Sequence, residues 1–133
     1  KKINKYSGGI LIIDYGYREE KMKNTLQSIS KHNFDSILNN VYKSDITYNI
    51  NFFLLKQIMK KLNLKVSNVV SQKIFLTNLG ILQRAEIVTK NLKFSKKADI
   101  YYRLKRLTDK NFMGELFKVM IATKKNINFK VGL

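Results

Sequence analysis

Apolar and polar positions change period several times along the 133-residue chain. Residues 8–14 (GGILIID) form a short, unbroken apolar run behind two glycines. A run of that length reads as a strand covered on both faces, the habit of a parallel α/β sheet. Asp14, Tyr15, Gly16 and Tyr17 then fall at the carboxyl end of that strand. Residues 18–24 are charged and read as loop, while 25–33 are ambiguous and leave room for a short strand. Residues 51–62 (NFFLLKQIMKKL) are helical, because Phe52, Leu55, Ile58, Met59 and Leu62 recur at helical spacing and the lysines fall elsewhere. Asn63 is a stop. Residues 64–71 alternate loosely and read as a strand. A second helical stretch covers 73–91, with Phe75, Leu79, Leu82 and Ala85 on one side and Gly80 as a bend or break. Ser95 is placed to cap a third helix running to about Leu107, with Tyr101, Leu104 and Leu107 as its buried stripe. Residues 114–123 (GELFKVMIAT) form the last strand, with Leu116, Lys118 and Met120 on one face and Phe117, Val119 and Ile121 on the other. Helices alternating with buried strands make the class α/β.

Hydrophobic residues make up 44% of the chain, enough for a core, and the length is that of one domain. No apolar run approaches the ~18 residues of a membrane helix. No long apolar leader is present either, and a cytoplasmic location is expected. Zero cysteines exclude thiolate catalysis and Cys-type zinc sites, and the single histidine, His32, excludes a His-rich metal site. His32 has one carboxylate at helical spacing, Asp35, and reads as a surface or turn residue. Lys1 rather than Met opens the chain, as in a processed product or a piece of something longer. The net charge is +17, which by itself suggests an anionic partner. Yet 22 of the 26 basic residues are Lys, and Lys, Ile and Asn together supply 51 positions against 3 Ala and no Pro. Those are the residues an AT-rich genome favours, so composition accounts for the charge without nucleic acid.

Candidate chemistry is sparse. Ligands of open α/β sheets bind beyond the carboxyl ends of strands, which brings Asp14, Tyr15 and Gly16 forward as the mouth of a site. The alternative is a turn capped by Asp14, with Gly16 supplying a positive φ. Lys96, Lys97, Arg103, Lys105, Arg106 and Lys110 interleave with Tyr101 and Tyr102, a pattern that can hold single-stranded nucleic acid but that a solvated helix face also explains. Lys118 interrupts an apolar strand and is expected to snorkel to water. The six glycines form no phosphate-binding loop, so no cofactor cradle is visible.

Five blocks, in order, resemble the MidA family of S-adenosylmethionine-dependent methyltransferases. Gly8–Tyr17 resembles its "GG-x-LLIIDYGY" strand. Thr25-Leu26-Gln27 followed by His32 resembles the next block. Asp45-Ile46-Thr47 and Phe52 resemble "D-[IL]-T-A-H-V-D-F". Gln72, Phe75-Leu76, Leu79-Gly80-Ile81 and Arg84 resemble "TQG-x-FL-x-x-LGI-x-x-R". Arg106-Leu107, with Met113-Gly114 and Leu116–Val119, resembles "RL…MG-x-LFKV". The match runs from about Gly8 to Thr123.

The resemblance implies a Rossmann-like class I methyltransferase fold, of which this chain is the C-terminal half. Residues 8–14 would be the fifth strand, 64–71 the sixth and 116–123 an antiparallel seventh lying between them. Residues 1–133 would be one partial domain. The family's Gly-rich cofactor loop and its "NE-x-x-DA-x-P" segment lie upstream of Lys1, so S-adenosylmethionine belongs to the intact enzyme and no cofactor is expected on this chain alone. Members are similar to a mitochondrial complex I assembly factor that methylates an arginine of a core subunit. The implied partners are the N-terminal half, in cis or in trans, and a protein substrate of that kind. Asp14 and Tyr15 would line the substrate mouth, with Gly16, Asp45 and Thr47 on the substrate-binding side.

Departures from the pattern are local. The family's Pro-Gly before Asp45 is Val41-Tyr42. Its His and Asp in the "HVD" step are Asn49 and Asn51, and the Gly after Gln72 is Lys73. The readings are a methyltransferase fragment inactive alone, a non-catalytic fragment docking on a separate N-terminal half or respiratory-complex subunit, and a basic nucleic-acid-binding module.

Overall fold

Val119, Met120, Ile121 and Ala122 are the most apolar four-residue stretch near the C-terminus, and all four are buried. They form the middle of the central strand. The computed structural model describes residues 2–31, 33–129 and 131–133, so the expectation for His32 lies outside the described residues. In chain order the elements are α1 (Lys2–Tyr6), β1 (Gly9–Tyr17), β2 (Gln27–Ser30), β3 (Asn33–Asp35), β4 (Asp45–Thr47), β5 (Ile50–Asn51), α2 (Phe52–Lys61), β6 (Leu64–Val66) and β7 (Val70–Ser71). There follow α3 (Gln72–Asn78), α4 (Ile81–Thr89), α5 (Phe94–Thr108), α6 (Met113–Leu116) and β8 (Phe117–Lys124).

The main sheet has the order β5-β1-β8-β6, with β7 also on β8. β8 runs antiparallel to β1 from Gly9↔Thr123 to Tyr15↔Phe117, and antiparallel to β6 and β7. The three expected strands therefore share one sheet, with the last between the other two. The class is α/β, as expected. The 64–71 strand is interrupted, however. Ser67 bridges the gap: its N–H donates to the Ile121 carbonyl at 2.9 Å and its Oγ accepts from the Ile121 N–H at 3.0 Å. A side-chain oxygen thus replaces a backbone acceptor where the ladder breaks.

β1 extends three residues past Asp14, because Gly16 and Tyr17 pair parallel with Ile50 and Asn51. Its apolar residues are not covered on both faces as expected. Ile10, Leu11, Ile13 and Tyr15 are 41%, 49%, 43% and 40% exposed. Residues 25–33 do hold a short strand, β2, and it pairs with β3 and β4 in a separate antiparallel sheet that the apolar pattern does not announce.

Asn51 caps α2, its Oδ1 accepting from the Leu54 N–H at 3.0 Å, and Phe52 behind it is fully buried. Gly80 breaks the 73–91 helix by taking a left-handed φ of 81° between α3 and α4. α5 starts one residue before Ser95, and no side chain caps it. The last strand starts at Phe117 rather than 114, because 113–116 coil into α6. Gly114 sits there against the Thr108 carbonyl, where a Cβ would collide with backbone.

Candidate functional site

The small sheet folds up beside the carboxyl end of β1, and the junction leaves two adjoining recesses. The first, of about 380 Å³, is lined by Tyr15, Thr25, Gln27, Ile29, Thr47, Asn49 and Leu116. The second, of about 530 Å³, is lined by Gly16, Tyr17, Arg18, Glu19, Lys23, Asn49, Glu115, Leu116 and Lys118. Asn49 and Leu116 belong to both, so the two form one cleft.

The first recess is held by hydrogen bonds between segments far apart in sequence. Gln27 Nε2 donates to Thr47 Oγ1 at 3.1 Å, across the β2–β4 pair in which the two residues face each other. The Asn49 N–H donates to Thr25 Oγ1 at 3.0 Å. The Tyr15 ring packs against Phe117 with centroids 4.3 Å apart, fixing the floor. One wall carries neutral amides and hydroxyls that accept or donate without charge, and Tyr15, Ile29 and Leu116 line the rest. Asp45 lies opposite Ile29 on β4, two residues before Thr47. Strand alternation puts it on the same face as Thr47, at the exposed outer end.

Asp14 lies elsewhere. It is mid-strand and half-buried, not at the strand's end, and the pleat turns it to the face opposite Tyr15. Its Oδ1 accepts from the Tyr15 N–H at 2.8 Å, and it lines neither recess. Tyr15-Gly16-Tyr17 reads as a turn in the sequence, yet its aromatic residues favour strands and it continues β1. Gly16 has no positive φ. A Cβ on it would lie 2.5 Å from two Phe52 ring carbons and 2.6 Å from the Ile50 carbonyl, so glycine is needed for close approach. Tyr15, Gly16 and Thr47 therefore come together at the cleft, Asp45 stands at its rim, and Asp14 lies outside both linings, on the strand face it shares with Lys118.

The second recess is charged. Lys23 pairs with Glu19 Oε1 at 2.7 Å, and the Arg18 N–H donates to Glu19 Oε2 at 2.9 Å. The Lys23 hydrogen bond, foremost, holds the Glu19 carboxyl down at about 2. Lys118 does not simply snorkel: its Nζ turns back to donate to the Glu115 carbonyl. Burial, and after it the nearby Arg18 charge, push the Lys118 ammonium below its ordinary value. The lysines of α5 line neither recess. On that helix Arg103 pairs with Asp99, and the Tyr101 hydroxyl lies 3.5 Å from Thr89 Oγ1. Among the described residues no cluster of three or more His, Cys, Asp or Glu could hold a metal, and no helix is long and apolar enough to cross a membrane.

Sequence reasoning did not single out Thr25, Gln27 or Asn49 as site residues, nor Arg18 and Lys23. The first two stand in the quoted Thr25-Leu26-Gln27 block, which was the available signal. Arg18 and Lys118 are a hundred positions apart, and only the β1–β8 register brings them together.

Comparison with known proteins settles the family. The model described as "Putative S-adenosyl-L-methionine-dependent methyltransferase" matches residues 1–70, just over half of the chain. The chain belongs to this methyltransferase family. It is 27% identical over 118 residues to the mitochondrial protein arginine methyltransferase NDUFAF7 of Xenopus tropicalis, and 26% identical over 119 residues to that of Xenopus laevis. Those alignments cover 88% and 89% of this chain but 27% of each relative, a smaller share than the half implied by the resemblance. Two Burkholderia thailandensis structures share the fold. One, of an uncharacterized superfamily protein, has TM-score 0.80 at 22% identity, covering 96% of this chain and 35% of that one. The other, described as a "likely methyl transferase" bound to S-adenosyl-homocysteine, has TM-score 0.78 at 21% identity, covering 94% and 34%.

The methyltransferase family depends on S-adenosylmethionine, so the described residues can be tested for a cradle. Adenosyl and phosphate cradles use a glycine turn leading from a strand into a helix N-terminus. Here β5 enters α2 through Asn51-Phe52 and β7 enters α3 through Ser71-Gln72, with no glycine at either junction. The residues present do not fit the cofactor by themselves.

Proposed function

We propose that this chain is the C-terminal part of an S-adenosylmethionine-dependent protein-arginine methyltransferase, that it supplies the acceptor side of the active cleft, and that it is inactive alone. The observation that carries this reading is the convergence of Tyr15, Gln27 and Thr47, from three separate sequence blocks, on one polar cleft at the carboxyl end of β1. The remainder of the enzyme, in cis or in trans, supplies the cofactor site. The exposed apolar side chains of β1 support such a covering part, because apolar strands of α/β sheets are normally enclosed.

In this reading the chain positions the substrate nitrogen for attack on the methyl group. Thr47, Thr25 and the Gln27 carbonyl accept hydrogen bonds from a guanidinium. Asp45, the carboxylate on the cleft's own face, pairs with its charge. Asp14 holds the Tyr15 backbone from the opposite face and is a positioning residue, and Gly16 lets β5 close the cleft floor. The acceptor is an arginine of a polypeptide, by resemblance a respiratory-complex subunit. A cytoplasmic location belongs to the same reading. The curated relatives carry "mitochondrial" in their names, and imaging of the tagged chain decides between the two.

The test is reconstitution. The chain is mixed with the separately produced remainder of the methyltransferase, and labelled methyl transfer to an arginine peptide is followed. Transfer by the mixture and by neither part alone is expected. No association and no transfer overturns the reading. Association without transfer instead identifies a non-catalytic docking fragment, which the exposed face of β1 also favours.

A further inference from the structure

The second recess holds more cationic than available anionic groups. Both oxygens of Glu19 are committed, one to Lys23 and one to the Arg18 backbone N–H. Glu115 Oε1 accepts from the buried Ser71 hydroxyl at 3.0 Å, so that carboxylate is engaged with β7 and stands outside ion-pair distance of Lys118 while still attracting it. Lys118 Nζ donates to the Glu115 backbone carbonyl. Neither ion pair among the described residues involves Arg18 or Lys118.

Strand register explains why the two cations converge. Lys118 sits opposite Asp14 on one side and Ser71 on the other, near the end of the β1–β8 ladder. Arg18 is the first residue past the end of β1. Same-face residues of β1 advance toward Arg18 as β8 runs back toward Lys118. The result is a half-buried ammonium and a guanidinium at one wall of a 530 Å³ recess, neither within ion-pair distance of a carboxylate among the described residues, although Asp14 lies across the ladder from Lys118.

We propose that Arg18 and Lys118 form a carboxylate-binding subsite, and that its occupant is an acidic side chain flanking the methylated residue of a polypeptide substrate. Arg18 offers a planar fork for bidentate pairing, and Lys118 adds a point charge at the inner wall. Lys118 is already penalised by burial and by Arg18, and the attraction of an incoming carboxylate would offset that penalty. The recess shares Asn49 and Leu116 with the polar cleft, so a bound acidic residue would place its neighbour beside Gln27 and Thr47. Carboxylate binding stands on the recess alone. Only its assignment to a substrate rests on the methyltransferase reading.

The experiment is an amide chemical-shift titration of the full chain at physiological salt, with N-acetyl-glutamate amide, its glutamine counterpart and inorganic phosphate as probes. Shifts confined to Gly16, Arg18 and Lys118 with the glutamate probe, and absent with glutamine, are expected. Arg18→Gln and Lys118→Met should each weaken that binding about tenfold, the loss expected for one charge-assisted contact. Lys96→Gln with Lys97→Gln on α5 should leave it unchanged. Arg18 is on the surface, so its variant keeps the test valid even if Lys118→Met unfolds. Shifts spread over the lysine-rich surface, equal response to glutamine, or tighter binding of phosphate than of glutamate would each overturn the proposal. In the reconstituted enzyme, an arginine peptide with a neighbouring glutamate should show a lower KM than its glutamine version. Methyl transfer indifferent to that residue removes the assignment to substrate while leaving the methyltransferase reading intact. Local glutamate binding without any transfer does the reverse.

Discussion

Gln27 and Thr47, twenty residues apart, face each other across two short strands and share a 3.1 Å hydrogen bond that closes one wall of the cleft. The bond belongs to a sheet with little else to hold it, since β2, β3 and β4 span only three or four residues each.

Thr47→Val keeps the shape of the side chain and removes the acceptor. It should lower stability by about 1 kcal/mol, the usual net worth of one such bond. Urea unfolding gives that value. In the reconstituted methyltransferase the same change should raise KM for the arginine peptide and leave cofactor affinity unaltered.

Gly16→Ala should cost more, about 1–3 kcal/mol, the range for overpacking a tight site. The added methyl meets the Phe52 ring and the Ile50 carbonyl, and a backbone carbonyl cannot give way. Phe52→Leu should recover part of the loss in the double variant, and a purely additive cycle would disprove the contact.

Asn51 stands where the family pattern has Asp. Its side-chain carbonyl oxygen caps α2. Asp caps as well as Asn does, so Asn51→Asp should be nearly neutral, while Asn51→Ala should lose about 1 kcal/mol. Thermal unfolding of the three proteins separates these outcomes.

Tyr42 stands where the pattern has Gly, and it keeps a glycine's backbone, with a φ of 68°. The left-handed region costs a residue with a Cβ roughly 1–2 kcal/mol, partly offset by the greater chain entropy of glycine. The side chain is fully exposed and contributes no packing. Tyr42→Gly should therefore raise stability by about 0.5–1 kcal/mol. A decrease would show that the turn does not hold this geometry in solution.

Glu19 provides the pH dependence. Its carboxyl is lowered from 4.5 to about 2, chiefly by the Lys23 hydrogen bond. A depressed folded value means that the contact stabilises the 18–23 segment fully above 4.5 and is lost as pH falls through about 2. An NMR titration of the Glu19 side chain should show its midpoint near 2, and Lys23→Gln should return it toward 4.5.

Legibility in the sequence followed hydrophobic content. β1, α2 and β8 bury or present continuous apolar stripes, and Gly80 sits inside a helical period where only a break makes sense of it. β3 and β4 were illegible, because three-residue strands such as Asn33–Asp35 and Asp45–Thr47 are too short to show alternation. Half of the cleft was in view: Tyr15, Gly16 and Thr47 converge, whereas Asp14 was misplaced by three positions of strand. Arg18 and Lys118 stayed hidden for another reason. Their proximity is created by register between the first and last strands, and no local pattern encodes it.

The central place of β8 has a consequence for how the chain is made. The strand that joins β1 to β6 is translated more than a hundred residues after β1. Until Phe117–Lys124 has left the ribosome, β1 and β6 have no shared neighbour, and the earlier apolar segments must wait without a template. Such high contact order predicts slow acquisition of structure. It also makes the interval before β8 emerges the period in which a chaperone would matter most.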